Sequence, residues 1–174
     1  MTLSPLQLPE SLMGYTLEAV VARSTLLREA ATALPGAHQL ELSQGLALMP
    51  VNDALRDHAP TEGKRPLSDV FSFMSGRLER WIVDRSMLGP IAYLEADYFG
   101  GTGTQSSAVW EHGTLALGPL TVGEWERHPE EGGPISRALR HLGVRVGPED
   151  LDEFEAVGLN AHRSTESWVR AGND

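Results

Sequence analysis

The stretch that decides the fold is GPIAYLEADYFGGTGTQSSAVWEHGTLALGPL, residues Gly89–Leu120. It predicts a meander of three β-strands. The first strand, Ile91–Phe99, is rich in Ile, Tyr and Phe, which favour a pleated, half-buried surface, and a glycine-rich run ends it. The second and third strands are Thr104–Trp110 and Thr114–Leu117. They are predicted to be joined by a tight three-residue connection, Glu111–Gly113, in which Gly113 can supply the left-handed residue.

The segments around the meander complete an α+β pattern. Tyr15–Ala22 is predicted to be a strand, and His38–Ser43 and Leu46–Val51 are predicted to form a hairpin. Leu67–Leu88 is predicted to be one long helix, because apolar residues recur there at i, i+3, i+4 and i+7. Strands and helices are segregated along the chain. We therefore predict an α+β fold, with a mostly antiparallel sheet that contains the three-strand meander (about residues 91–118) and is covered by helices on one face.

The length of 174 residues fits one domain with a core of ordinary size. Residues 1–13 contain Pro5 and Pro9 and show no clear period, so they are predicted to be a flexible arm. Residues 14–174 are predicted to form a single α+β domain.

Composition excludes several classes of protein. Fourteen Lys and Arg against 24 Asp and Glu give a net charge of −10, which disfavours binding to free nucleic acid. The chain has no Cys, and therefore no disulfide or thiolate chemistry. It has no basic start and no apolar run long enough to cross a membrane, so we expect a cytoplasmic protein. Lys64 is the one Lys, which suggests a GC-rich bacterial source.

Two segments carry most of the negative charge. Ser86–Ser136 has seven acidic residues against one basic residue, and Glu149–Asp174 has seven against two. Such segments are typical of a solvated surface that keeps a protein soluble. They also suit an acidic face that meets a basic partner, and the sequence leaves both interpretations open.

Glu95 and Asp97 are the first candidate functional residues. They lie two apart on the first meander strand, so they project from the same face of the sheet. Neighbouring carboxylates can share a proton, hold a cation, meet a basic partner or simply face solvent. The alternate face, with Ala92 and Leu94, is the better candidate for the core.

Trp125 is the second candidate, since it lies between Glu124 and Glu126 in a predicted loop. A large aromatic residue flanked by acids is typical of an interface anchor, although it can equally fold back to cover the core. The residues predicted to bind a partner are Glu95, Asp97, Glu124, Trp125 and Glu126.

No motif predicts catalysis. The glycine-rich run is followed by a strand rather than a helix, so it lacks the helix N-terminus of a phosphate-binding loop. A wide turn explains it better, with Gln105 beside that turn as a hydrogen-bond donor and acceptor. The six His residues lack the spacing of metal ligands, and GxSxG is absent. We predict no catalytic residue, no cofactor and no metal.

Four stretches resemble a group of small uncharacterised actinobacterial proteins: IAYLEADYFGGTGTQSSAVW, PISRALRHLGV, DEFEAVGL and HRSTESW. The resemblance covers about Gly89–Trp168 and carries over no catalytic residue. In size, acidity and α+β build the chain is also similar to immunity proteins of bacterial toxin systems, a similarity that many acidic domains share.

Three functional hypotheses follow. The first is a cytoplasmic protein that neutralises a basic protein partner by steric occlusion, with a bacterial toxin as that partner. The second is an enzyme or small-molecule sensor with a pocket between the long helix and the meander. The third is a structural subunit of a larger assembly, with residues 1–13 as a docking arm.

Overall fold

The computed structural model describes residues 14–53, 55 and 70–174. The predicted arm at residues 1–13 and the start of the predicted long helix lie outside the described residues. The strands are β1 (Tyr15–Arg23), β2 (Leu40–Glu41), β3 (Leu46–Pro50), β4 (Ile91–Phe99), β5 (Thr102–Glu111) and β6 (Thr114–Val122). The helices among the described residues are α1 (Ser24–Thr32), α2 (Gly76–Arg85), α3 (Pro134–His141), α4 (Glu153–Val157) and α5 (Thr165–Gly172). No helix in these ranges is long and apolar enough to span a bilayer.

The six strands form one antiparallel sheet in the order β2-β3-β1-β4-β5-β6. This confirms the α+β fold, the hairpin β2–β3 and the three-strand meander β4–β5–β6. β4 and β1 are the central pair, and they are in register from Tyr15 opposite Tyr98 to Ala22 opposite Ile91.

The glycine-rich run ends β4 as predicted, but the predicted wide turn is wrong: only Gly100 and Gly101, both at positive φ, separate Phe99 from its partner Thr102, where β5 begins. Gly103 lies opposite Tyr98, and a Cβ atom at this position would collide with the Asp97 carbonyl oxygen. The next turn has two residues rather than the predicted three, because Glu111 pairs with Thr114, and both His112 and Gly113 have positive φ, at 53° and 75°.

The third meander strand is longer than predicted. β6 does not end at Leu117 but continues through Gly118 and Pro119 to Val122. A register shift between Ser107 and Val109 of β5 accommodates the change. Because β6 is an edge strand, the missing N–H of proline need not break the pairing.

Helices cover both faces of the sheet, so the prediction of cover on one face is wrong. α1 and α2 pack on one face, here called the α1–α2 face, and α3, α4 and α5 pack on the other, the α3–α5 face. The physical reason is that β1 and β4 are buried on both sides. Residues 19–22 and 91–94 are fully buried, including those that alternate to opposite faces. Such continuous apolar runs require two layers of cover.

The predicted long helix is also shorter in the structure. Residues 71–75 are not helical, and α2 begins only after Ser75, whose Oγ accepts a hydrogen bond from Leu78 N at 3.1 Å. Phe71 and Met74 still pack in the core of the α1–α2 face. The apolar period therefore marked buried positions correctly, but the helix starts later than predicted, at the Ser75 N-cap.

Candidate functional site

Glu95, a predicted partner-binding residue, is buried and only 6% exposed. Its Oε2 accepts a hydrogen bond from Ser72 N at 2.9 Å. Its Oε1 accepts hydrogen bonds from Phe73 N at 2.9 Å and from the Tyr93 hydroxyl at 2.8 Å. The carboxylate is thus enclosed by donors from the chain itself. The prediction that Glu95 lies on a partner-facing surface is therefore wrong.

These contacts also explain the non-helical segment before α2. The backbone N–H groups of Ser72 and Phe73 donate to the Glu95 carboxylate, so these donors are satisfied although the segment is not helical. A buried carboxylate is tolerated when donors surround it, and hydrogen bonds to charged groups are stronger than neutral ones. Glu95 therefore ties this segment to the sheet.

Asp97 is exposed, but it lies apart from the other predicted partner residues. It borders a groove of about 640 Å³ together with Thr16, Thr165 and Arg170. This groove lies at the start of β1, where Thr16 N donates to the Arg163 carbonyl and Glu18 N donates to the Thr165 hydroxyl. Glu95 and Asp97 thus lie on the same face of the sheet, but Glu95 is buried and Asp97 is exposed.

Glu124, Trp125 and Glu126 lie together at an exposed turn. Trp125 is 83% exposed, which contradicts the alternative in which it folds back over the core. The turn is closed by a hydrogen bond from Glu126 N to the Gly123 carbonyl at 3.2 Å, and by one from Gly123 N to Glu126 Oε2 at 3.1 Å. Trp125 has φ of 70°, a conformation that bulky residues rarely adopt. The turn holds the indole away from the core.

A cavity of about 730 Å³ opens on the α3–α5 face. The predicted pocket position, between the long helix and the meander, is instead filled by Trp81, Ile82, Tyr93 and Trp110, all buried. The floor of the cavity is the end of the sheet where β1 begins and β4 ends. Its walls are the loop before α3, the first turns of α3 and α4, and the segment before α5. Its lining includes Tyr15, Ala96, Tyr98, Gln105, His128, Glu130, Glu131, Ile135, Arg140, Val146, Leu151, Asp152, Glu153, Phe154 and Arg163.

A chain of hydrogen bonds organises one side of this cavity. Ile135 N donates to Gln105 Oε1 at 2.9 Å, and this fixes the orientation of the amide. Gln105 Nε2 then donates to the Tyr98 hydroxyl at 3.0 Å, and that hydroxyl lies 3.3 Å from His128 Nε2. Gln105 acts as both donor and acceptor, as the sequence predicted, and it joins the first turn of α3 to the meander.

An ion pair organises the other side. Arg140 Nε donates to Glu153 Oε1 at 2.7 Å, and Arg140 Nη1 donates to the Glu131 carbonyl at 2.8 Å. Glu153 is only 5% exposed, although it is charged and lines the cavity. Among the described residues, Arg140 is its one hydrogen-bond partner, so Glu153 Oε2 has none.

Aromatic side chains form the wall between these polar groups. The rings of Tyr15 and Phe154 meet edge to face, with centroids 5.3 Å apart. The Tyr15 hydroxyl donates to the Leu159 carbonyl at 3.1 Å. Burial raises the pKa of the Tyr15 phenol well above its usual value, so this donor keeps its proton at an alkaline pH where an exposed phenol ionises. At the rim, Leu151 is 89% exposed.

Sequence reasoning missed His128, Arg140, Glu153 and Phe154 as residues of one cavity. They come from segments far apart in the chain, and none belongs to a recognisable motif. Glu153 follows the helix cap Asp152, where an acidic residue ordinarily just complements the helix dipole. Within residues 14–53, 55 and 70–174, no three His, Asp or Glu side chains are grouped as a metal site would require.

No protein-family model matches the chain, and no match was found among curated proteins or solved structures. The exposed turn at Trp125 and the cavity on the α3–α5 face are the features that bear on function.

Proposed function

We propose that this chain is an acidic binding protein that neutralises a basic protein partner in the cytoplasm by covering part of its surface. The observation that carries the proposal is the exposure of Trp125, which is 83% accessible between two exposed glutamates. Burial of an aromatic side chain contributes strongly to binding, and tryptophan is enriched among the residues that dominate interfaces. Among the described residues, no packing at the turn accounts for this side chain.

The arrangement of acidic residues supports a basic partner. Glu130 and Glu131 come from the first acidic segment of the chain, and Asp152 and Glu153 come from the second. The fold brings all four to the lining of one cavity. His128 of that lining is three residues from Trp125, so chain connectivity limits the separation of their Cα atoms to about 12 Å. A positive surface would meet the indole and these carboxylates together.

The finer identity, an immunity protein against a bacterial toxin, is part of the proposal. It rests on the likeness in size, acidity and α+β build to immunity proteins of toxin systems. Steric occlusion is the proposed mechanism, with charge steering of the encounter by Glu124 and Glu126 and anchoring by Trp125. Asp97 lies in a separate groove and is left out of this surface.

The test is capture of partners from a lysate of the native host by the immobilised chain, followed by mass spectrometry. We expect one stoichiometric basic protein that is lost as the salt concentration rises, because salt screens exposed charges. Trp125→Ala should weaken the complex by about 30-fold, which is the usual effect of losing an interface anchor. The association rate measured by stopped flow should fall with ionic strength.

Leu88→Ala is the matched control, since Leu88 is also an exposed apolar residue but precedes the opposite end of β4. It should leave the affinity unchanged. Neither substitution should change the free energy of unfolding by more than about 0.5 kcal/mol. Equal affinities for the two variants would contradict the role of Trp125, and an association rate that ignores salt would contradict charge steering.

A further inference from the structure

We infer that the cavity on the α3–α5 face is a receptor for a guanidinium or ammonium group, and that the group is an Arg or Lys side chain of the basic partner. This inference rests on the proposed function for the source of the cation. The cation site itself is argued from the lining of the cavity.

The first argument is the unequal use of the Glu153 carboxylate. Its Oε1 is paired with Arg140 Nε at 2.7 Å, whereas Oε2 has no partner among the described residues. Oε2 is not among the buried side-chain atoms that lack a partner, and Glu153 lines the cavity, so this oxygen is reached from the cavity. A donor group of a ligand in the cavity could therefore bind Oε2, and a hydrogen bond to a charged carboxylate is stronger than a neutral one.

The second argument is the sign of the charge around the cavity. The lining contains four carboxylates, on Glu130, Glu131, Asp152 and Glu153, and two guanidinium groups, on Arg140 and Arg163. The lining thus holds two more carboxylates than guanidinium groups. The Nε and Nη1 atoms of Arg140 already donate to Glu153 and to the Glu131 carbonyl.

An apolar surface leads to the carboxylate. Tyr15 and Phe154 meet edge to face, Ile135 lies buried beside them, and Val146 and Leu151 are exposed at the rim. The stems of Arg and Lys are apolar and pack along such surfaces while their charged heads reach polar groups. Aromatic rings also attract cations. A volume of about 730 Å³ takes such a side chain with its neighbouring residues.

The test uses a small probe on the purified full chain, so it does not require the partner. N-acetyl-arginine methylamide is titrated into isotopically labelled protein, and backbone amide shifts are followed by NMR. N-acetyl-norleucine methylamide is the uncharged comparison. We expect saturable shifts confined to amides around Tyr98, Ser136 and Phe154 with the arginine probe, and much weaker binding of the norleucine probe.

Glu153→Gln should weaken the arginine probe by about tenfold, because it removes the charge that faces the guanidinium. Glu29→Gln is the matched control: it removes one exposed carboxylate on α1, on the other face of the sheet, and should bind as the wild type does. If Glu153→Gln fails to fold, the exposed pair Glu130→Gln/Glu131→Gln replaces it and should also weaken the probe.

The cation site would be overturned if the two probes bound equally. It would also be overturned if neither the Glu153 substitution nor the Glu130 and Glu131 substitutions lowered the affinity for the arginine probe. If the probe binds as expected but no basic protein is captured from the lysate, the cation site stands and a partner side chain as its source is overturned. If a partner is captured in a Trp125-dependent way but the probe misses the cavity, this inference fails and the proposed function stands.

Discussion

The two faces of the sheet treat a buried glutamate in opposite ways. On the α1–α2 face, Glu95 accepts three hydrogen bonds, from two backbone amides and one phenol, and the space around it is filled. On the α3–α5 face, Glu153 is just as buried but has a single partner and borders a cavity. A fully satisfied buried carboxylate holds a fold together, whereas a half-satisfied one beside a cavity is available to a ligand.

The largest effect that tests this comparison is expected from Glu95→Gln. The substitution places an amide NH₂ where Oε2 accepts from Ser72 N, so that two donors face each other. Loss of these charge-assisted bonds should lower the free energy of unfolding by about 2–4 kcal/mol. Thermal denaturation would then show a melting temperature lower by roughly 5–15 °C.

Asp97→Asn is the control for this prediction, because Asp97 lies two residues further along the same strand and is exposed. It should change stability by no more than about 0.5 kcal/mol. If the two substitutions lowered the free energy of unfolding by similar amounts, the three hydrogen bonds to Glu95 would not be the reason for its contribution to stability.

The Glu95 and Asp97 pair also shows how far sequence reasoning reaches. Alternation along β4 correctly put the two carboxylates on one face, and the β-forming residues correctly marked the strand. Whether a carboxylate is buried depends on what packs over it. The donors at Ser72 and Phe73 come from a segment about 20 residues away, and they bond through backbone amides that every residue type carries. No side-chain pattern could reveal them.

The cavity was beyond prediction for a related reason. The meander is local, so short-range propensities predicted its three strands and the positions of its turns, although the turn between β4 and β5 is tighter than predicted and Gln105 lies within β5. The cavity is built from the ends of several separate segments, and its shape follows from how α3 and α4 pack on the sheet. The sequence also contained the apolar runs that require cover on both faces, but the segregation of strands and helices along the chain favoured a single covered face.

The second prediction concerns the link between the cavity and the meander. Gln105→Leu removes the acceptor of Ile135 N and the donor to the Tyr98 hydroxyl. An unpaired amide at the first turn of a helix should cost about 1–2 kcal/mol of unfolding free energy, measured by urea denaturation. Thr104→Val, at the exposed neighbouring position of β5, should be close to neutral. If both variants were equally stable, Gln105 would not position α3.

The smallest effect at neutral pH is expected from Tyr15→Phe. It removes one hydrogen bond, to the Leu159 carbonyl, and should cost about 1 kcal/mol near pH 8. Its informative readout is alkaline denaturation. Because burial raises the pKa of Tyr15, the folded chain keeps the phenolic proton at a pH where the unfolded chain loses it.

The sign of this effect is fixed by linkage. Below the unfolded pKa of about 10, both states are protonated and the stabilisation is fully present. Above it, the unfolded chain binds fewer protons, so stability falls with pH by up to about 1.4 kcal/mol per unit until the folded phenol ionises. Tyr15→Phe should therefore lose stability less steeply than the wild type above pH 10, by urea denaturation at a series of pH values. Parallel curves would mean that the cavity wall at Tyr15 is open to water, and that the α3–α5 face is less enclosed than the contrast with the α1–α2 face requires.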